Sequence, residues 1–377
     1  MNRKSVAIVY PHIGEYGGIE RNIKALSESI AARGLQCVLV CYYDYVGLAN
    51  ESLRVVQLGD HWNPFVKAKR VRKWIDENRD SMIGLPLFFG CKAGFYAAMG
   101  KINSYALHYT DPPSLLSVAR KKSGFGLAAV RSKISNRFRK QGVIGADRRI
   151  TMTKWNAREL ASLYRCNFDV IYQGGVPSLR SPSSNPRCQD RSMRWFSICR
   201  LADSKHLDWI LHAGRRIVDA KERLGIDDFR ITIGGKGPSL ASLQQVTYKL
   251  GMNDYVDFPG FLNDEEVETH FHNSDLSLVP GRQGFGLPVL ESLYRRVPVV
   301  LSRESRVSEI LESNPWVRVS EHNVESFVNA AYEFTLQLRN DGTPSAESLH
   351  DLPTESKWGE QMGAACGWWS DARGTFS

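Results

Sequence analysis

Residues 280–301 read PGRQGFGLPVLESLYRRVPVVL, and the order of residue types in them decides the fold. The apolar run 276–279 just before them has strand character. The loop that follows carries Gly281, Gly284 and Gly286, Pro288 opens a helix over residues 288–295, and the β-branched run 297–301 is a second strand. Proline suits the first helical turn because its missing N–H would have had no partner there. Strand, glycine turn, helix, strand is the repeating unit of a parallel α/β sheet. Glycines beside a helix N-terminus let main-chain N–H groups approach an anion, and the helix dipole favours negative charge at that end. A diphosphate fits such a turn. Glu291, about one turn into the helix, is placed to accept hydrogen bonds from a ribose diol.

Working outward, the alternation continues. Strands are predicted at residues 194–198, 230–233 and 256–258, and helices at 207–220, 239–250, 264–273 and 324–338. Residues 199–205 (CRLADSK) put Arg200 after a strand and Lys205 before a helix. Two cations converging on a helix N-terminus are what diphosphate binding and leaving-group departure require. The turn 234–238 (GGKGP), centred on Gly235, is a third place of close backbone approach, and it matches neither a dinucleotide nor a P-loop fingerprint. The chain contains no Asp-x-Asp and no His-Glu-x-x-His, so no metal is expected.

Towards the N-terminus, residues 5–10 (SVAIVY) have the composition of a strand buried on both faces. The loop 12–18 (HIGEYGG) leads into a helix over 19–33, with apolar residues at 19, 23, 26 and 30 and Gly34 at its end. Further strands are predicted at 37–42, 54–58, 83–89, 105–109 and 149–153. Residues 81–100 hold a single charge, Lys92, but Pro86 and Gly90 divide them into a buried strand and a helix, not a membrane span. A chain of 377 residues exceeds what one core usually serves. Residues 177–191 (PSLRSPSSNPRCQDR) lack periodicity and read as a linker. The expected organisation is a Rossmann-like domain over 1–176, the linker, a second such domain over 192–354, and a cleft between the two, a common place for ligands. Residues 355–377 are expected to return to the first domain, since Trp358, Trp368 and Trp369 need cover.

Charge is uneven. Residues 1–190 hold 29 Lys and Arg against 14 Asp and Glu, and residues 191–377 hold 20 against 26, so the first half is expected to meet something anionic. Residues 117–140 (SVARKKSGFGLAAVRSKISNRFRK) carry eight basic side chains and no acid, with Leu127, Val130, Ile134 and Phe138 at helical spacing. Such a helix either docks on an anionic membrane surface or lipid-linked diphosphate, or is a solvated basic face. No nucleic-acid-reading motif accompanies the charge. Seven scattered cysteines fit free, buried thiols in a reducing compartment, and the apolar run 5–10 is too short for a signal-peptide core. The expected location is cytoplasmic, with peripheral attachment to the inner face of the membrane.

At this point the chain resembles the retaining GT-B glycosyltransferases of family 4, most strongly over residues 194–312. Arg200 and Lys205 match that family's diphosphate pair. Residues 284–291 (GFGLPVLE) match its signature Gly-Phe-Gly-Leu-Pro-x-x-Glu. The resemblance implies two Rossmann-like domains and a UDP-, GDP- or ADP-sugar as donor substrate, with no separate cofactor. It also implies a glycan or lipid-linked acceptor, retention of anomeric configuration, and a place in cell-surface polysaccharide assembly. Donor contacts are implied for Gly17, Gly18, Gly235, Phe261, Leu262, Gly284, Phe285, Gly286, Leu287 and Glu291, with Phe261 and Leu262 beside the base. Positions at the reacting centre are implied for His108, Arg200, Lys205 and Gln283. One departure stands out: the family signature has two glutamates eight positions apart, and the first is Gln283 here. Glutamine keeps an acceptor, gains donors and loses the charge. Cys199 and His206 also stand where the family has glycines. Three readings therefore stay open: a transferase, a non-catalytic nucleotide-sugar-binding scaffold, and a nucleotide-sugar epimerase.

Overall fold

A computed structural model describes residues 4–14, 17–110, 127–174 and 191–369, with the backbone alone for 127–131. The chain divides into two compact units, residues 1–177 with Thr354–Ser377, and Ser178–Pro353.

The first unit is a seven-stranded parallel sheet. Its strands are β1 (Ser5–Val9), β2 (Gln36–Cys41), β3 (Leu53–Gln57), β4 (Leu87–Phe89), β5 (Ala106–Tyr109), β6 (Arg148–Thr151) and β7 (Asp169–Val170). Their order is β3-β2-β1-β4-β5-β6-β7. All five residues of β1 are buried, because helices cover both faces of a parallel sheet. Side chains alternate between those faces: Val6, Ile8, Cys37 and Leu39 join one apolar cluster, while Val9, Val38 and Val40 join another. The first cluster is closed by the helix Glu355–Ala365 and the residues after it, through Trp358, Met362 and Trp368. Trp368 Nε1 donates to Leu85 O at 2.9 Å, and the Arg33 guanidinium lies 4.4 Å over the Trp369 ring. Residues 81–100 resolve into β4 and the helix Gly90–Met99. Among the described residues, no helix is long and apolar enough to cross a membrane.

Part of the basic stretch is helical, over Leu127–Ile144, while residues 117–126 lie outside the described residues. This helix crosses Gly90–Met99 at a glycine pair: a Cβ on Gly142 would come 1.9 Å from Gly94 O. Phe138 packs edge-on against Phe65 and Phe95, with ring centroids 6.1 Å away in each case. On the same helix Lys133, Ile134, Arg137 and Lys140 are exposed.

The second unit is a six-stranded parallel sheet of β8 (Ser192–Ile198), β9 (Asp228–Gly234), β10 (Val256–Gly260), β11 (Leu276–Val279), β12 (Val299–Ser302) and β13 (Val317–Ser320), in the order β10-β9-β8-β11-β12-β13. Its core packs Trp195, Ile210, Ile231, Leu278 and Phe334. In both units the first strand is central and the order reverses beside it, between β1 and β4 and between β8 and β11. Doubly wound sheets bind ligands outside the carboxyl ends of their strands at that reversal.

Candidate functional site

Arg200 and Lys205, after β8, and Gly281–Gly286, after β11, lie on the loops that follow the two strands at this reversal. β8 ends at Ile198, and the chain beyond it is tied to the turn after β9: Cys199 N donates to Gly234 O at 3.2 Å, and Leu201 N to Lys236 O at 3.0 Å. Arg200, held between these two bonds, is exposed and makes no hydrogen bond or ion pair among the described residues. Gly235 has φ +127°, and a Cβ there would come 1.9 Å from Cys199 O, so the turn closes only on glycine.

Lys205 closes a short 3-10 turn, Asp203–Lys205, and lies against the loop after β11. A Cβ on Gly281 would come 2.2 Å from Lys205 Cα. Arg282 N donates to Ser204 O at 3.1 Å, while Lys205 Nζ donates to Arg282 O at 2.6 Å and to Gln283 Oε1 at 3.0 Å. An ammonium has only donors, so the amide atom facing it must be the oxygen, and the Gln283 N–H2 points elsewhere. Burial lowers the Lys205 pKa, with Cys199 opposing the shift. A glutamate at 283 would pair with that ammonium. Glutamine leaves the charge uncompensated, and Lys205 has no carboxylate partner among the described residues. The nearby arginines differ: Glu304 accepts from Arg282 Nε at 2.9 Å and from Arg306 Nη2 at 3.0 Å.

The loop ends at Gly286, with φ +131°, which begins the helix Leu287–Tyr294 with no side-chain cap. A Cβ on Gly286 would strike Val307 Cγ1 at 2.6 Å and Ser305 Oγ at 2.8 Å. The Ser305 hydroxyl is buried with no partner among the described residues. An uncapped helix start beside an uncompensated ammonium suits an anion.

Residues 189–337 match the family model described as glycosyl transferases group 1. That match lies within the second unit. The chain is 36% identical over 117 residues to the GDP-mannose-dependent alpha-(1-6)-phosphatidylinositol dimannoside mannosyltransferase of Mycobacterium tuberculosis, covering 30% of this chain and 28% of that protein. It thus spans under a third of that relative's length. It is 30% identical over 152 residues to the putative colanic acid biosynthesis glycosyltransferase WcaL of Escherichia coli, covering 38% of this chain and 36% of that one. Among solved structures, sucrose-phosphate synthase of Thermosynechococcus elongatus superposes with a TM-score of 0.72 at 16% identity, covering 96% and 98% of the two chains. Anabaena Alr3699/HepE in complex with UDP gives 0.72 at 15% identity, covering 95% and 98%. The two-sheet fold is that of the GT-B glycosyltransferases.

Within the matched residues, Gly284 is exposed and Glu291 half-buried on the helix that Gly286 begins. Leu287 and Gly286 start that helix, whereas Phe285 is buried and its carbonyl accepts from Val307 N at 2.7 Å. Phe261 is 69% exposed, with Lys236 Nζ 5.8 Å from its ring centroid. Leu262 is instead a core residue. It packs with Phe196, Phe271 and Val297 and presses on Gly234, so its side chain has no face left for a base.

Two expectations in the first unit meet a different environment. Gly17 N–H donates to the Glu20 carboxylate at 3.1 Å, so one amide of the loop before Gly18 already holds an anionic partner. His108, in β5, is fully enclosed, edge-on to Phe89 at 5.0 Å and tilted to Trp358 at 6.3 Å. Neither ring nitrogen has a partner among the described residues, and burial lowers its pKa to about 3. A strand-end position does not reveal enclosure, and this histidine is a neutral core group. Sequence reasoning missed Glu304 and Ser305, because nothing local ties them to a loop some twenty residues upstream. Among the described residues, no cluster of three His, Cys, Asp or Glu side chains could hold a metal.

Proposed function

We propose that this protein is a metal-independent, retaining glycosyltransferase that moves a hexose from a nucleoside-diphosphate sugar to a glycan or lipid-linked acceptor, in the assembly of a surface polysaccharide or glycolipid. One observation carries this reading: an ammonium without a carboxylate partner, Lys205, is seated on the glycine turn that begins the helix Leu287–Tyr294. As the glycosidic bond breaks, charge develops on the leaving diphosphate, and preorganised cations and main-chain N–H groups stabilise that charge without reorganisation. Lys205 and Arg200 supply the cations in the place a divalent ion would otherwise take. Gln283, its oxygen held by Lys205, turns its N–H2 to the sugar. Glu291 receives the ribose hydroxyls, and the exposed Phe261 ring stacks on the base. His108 and Leu262 have no part in this scheme. The names of two relatives, a phosphatidylinositol dimannoside mannosyltransferase and a putative colanic acid biosynthesis glycosyltransferase, support the acceptor class. The exposed basic side chains of the helix Leu127–Ile144 support attachment to an anionic membrane surface.

Calorimetric titration with UDP, GDP and ADP in the presence of EDTA tests the site. One nucleotide binds, and Arg200→Ala weakens it by about 1.5–3 kcal/mol, the range for hydrogen bonds to charged groups, or roughly ten- to a hundredfold. Absence of binding by all three sinks the reading. Binding without turnover on any sugar donor would leave a non-catalytic carrier instead.

A further inference from the structure

The polar side-chain groups that the loop Gly281–Gly286 leaves open are all donors. Gln283 is half-buried, its Oε1 accepts from Lys205 Nζ at 3.0 Å, and its N–H2 makes no hydrogen bond among the described residues. Arg282 is exposed and spends its Nε–H on Glu304, while its two Nη groups make no hydrogen bond among the described residues. The acceptors beside them are engaged. Arg282 O takes a second bond from Lys205 Nζ, Phe285 O takes the Val307 N–H, and Glu304 O takes the Gln283 N–H at 3.3 Å. The Glu304 carboxylate is divided, one oxygen to Arg282 and the other to Arg306. A parallel bridge between Gln283 and Ser305 fastens the loop to the chain after β12, so the Gln283 amide is held in place at both backbone and side chain.

We propose that the sugar this protein transfers is acidic, a hexuronate whose carboxylate is received by the Gln283 N–H2 in the field of Lys205 and Arg282; the proposal rests on the transferase reading above. A sugar hydroxyl brings a proton as well as lone pairs, and at Gln283 that proton meets no open side-chain acceptor. A carboxylate has no proton and about four lone-pair positions, so it matches a set of donors. Hydrogen bonds to an ionised acceptor are also shorter and stronger than those to a neutral one. The charge at position 283 supplies the discrimination. A glutamate there would neutralise Lys205 and stand against the substrate carboxylate, and like charges so placed repel. Glutamine keeps the bond to Lys205 through its oxygen and offers the ligand a donor in place of a second anion. The exposed Arg282, which shares Glu304 with Arg306, adds positive potential at the same loop.

Calorimetric titration of the full chain compares each neutral sugar nucleotide with its C6 carboxylate: UDP-glucose, UDP-galactose, GDP-mannose and ADP-glucose against the matching uronates. In at least one pair the uronate binds about tenfold or more tightly, the scale of a hydrogen bond to a charged group. Gln283→Glu brings that ratio to one or below, and Gln283→Ala lowers it without adding a charge. Damage to the fold weakens both members of a pair alike, so the ratio reports the carboxylate alone. The proposal is overturned if the neutral sugar binds as tightly as the uronate in every pair, or if the preference survives both substitutions. Titration of free UDP, GDP and ADP on the same samples separates the two readings. Binding of a free nucleotide with no preference for any uronate removes the acidic sugar and keeps the transferase, whereas binding of no nucleotide and no sugar nucleotide removes both.

Discussion

His108 is a buried imidazole with neither nitrogen partnered among the described residues. His108 loses its hydration on folding and gains only ring contacts with Phe89 and Trp358. A buried polar group without a hydrogen bond costs a few kcal/mol, so His108→Phe is expected to raise stability by about 1–3 kcal/mol if the ring fits. The pH dependence has a definite sign. The pKa is about 3 in the folded protein against 6.5 in a free imidazole. Below pH 6.5 the unfolded chain therefore binds the extra proton, and stability falls as pH falls. The slope approaches roughly 1.4 kcal/mol per pH unit for this group. Urea unfolding at about pH 7 and about pH 5 measures that loss, and His108→Phe should make it smaller. An unchanged difference would show that the ring is not enclosed. At the other site Gly281 is the sensitive position. Gly281→Ala drives a methyl group into the Lys205 backbone, and overpacking of this kind costs typically 1–3 kcal/mol. Nucleotide affinity should drop about tenfold or more, read by the same calorimetry, because the loop must part from the cation it seats.

Among the elements, the doubly buried strands were the easiest to read from sequence. β1, β8 and β11 are short apolar runs, and the structure moves their ends by no more than a residue or two. β7 and β13 escaped notice because they lie at sheet edges and are short: Asp169–Val170 has two residues, and Val-Arg-Val-Ser alternates over only four. The glycine turn and Lys205 were legible, since spacing along one strand–loop–helix unit is local information. The partners of Arg282 and the enclosure of His108 depend on which strands become neighbours, and no local pattern carries that. The helix Leu127–Ile144 has its own test. It presents Lys133, Arg137 and Lys140 to solvent beside Ile134, which is 49% exposed. Flotation with anionic vesicles is expected at low salt and should weaken as salt screens the charges. Arg137→Glu combined with Lys140→Glu should cut the floated fraction severalfold. Equal flotation of the unaltered protein with neutral vesicles would count against an electrostatic attachment.

For the whole molecule, the two sheets share one design: a central first strand, a reversal of order beside it, and glycine turns at the carboxyl edge. The match to the group 1 family model covers residues 189–337, which lie in the second unit. The way the first unit is closed has a consequence for biosynthesis. Trp358, Met362 and Trp368 complete the apolar layer over Leu26 and Ile30, yet they are translated only after the whole of the intervening unit. A ribosome therefore releases residues 4–110 with one greasy flank still bare, and the flank stays so until the helix Glu355–Ala365 has been made. The later-made half can finish folding first, while the earlier-made half waits, exposed to aggregation and in need of a chaperone's shelter.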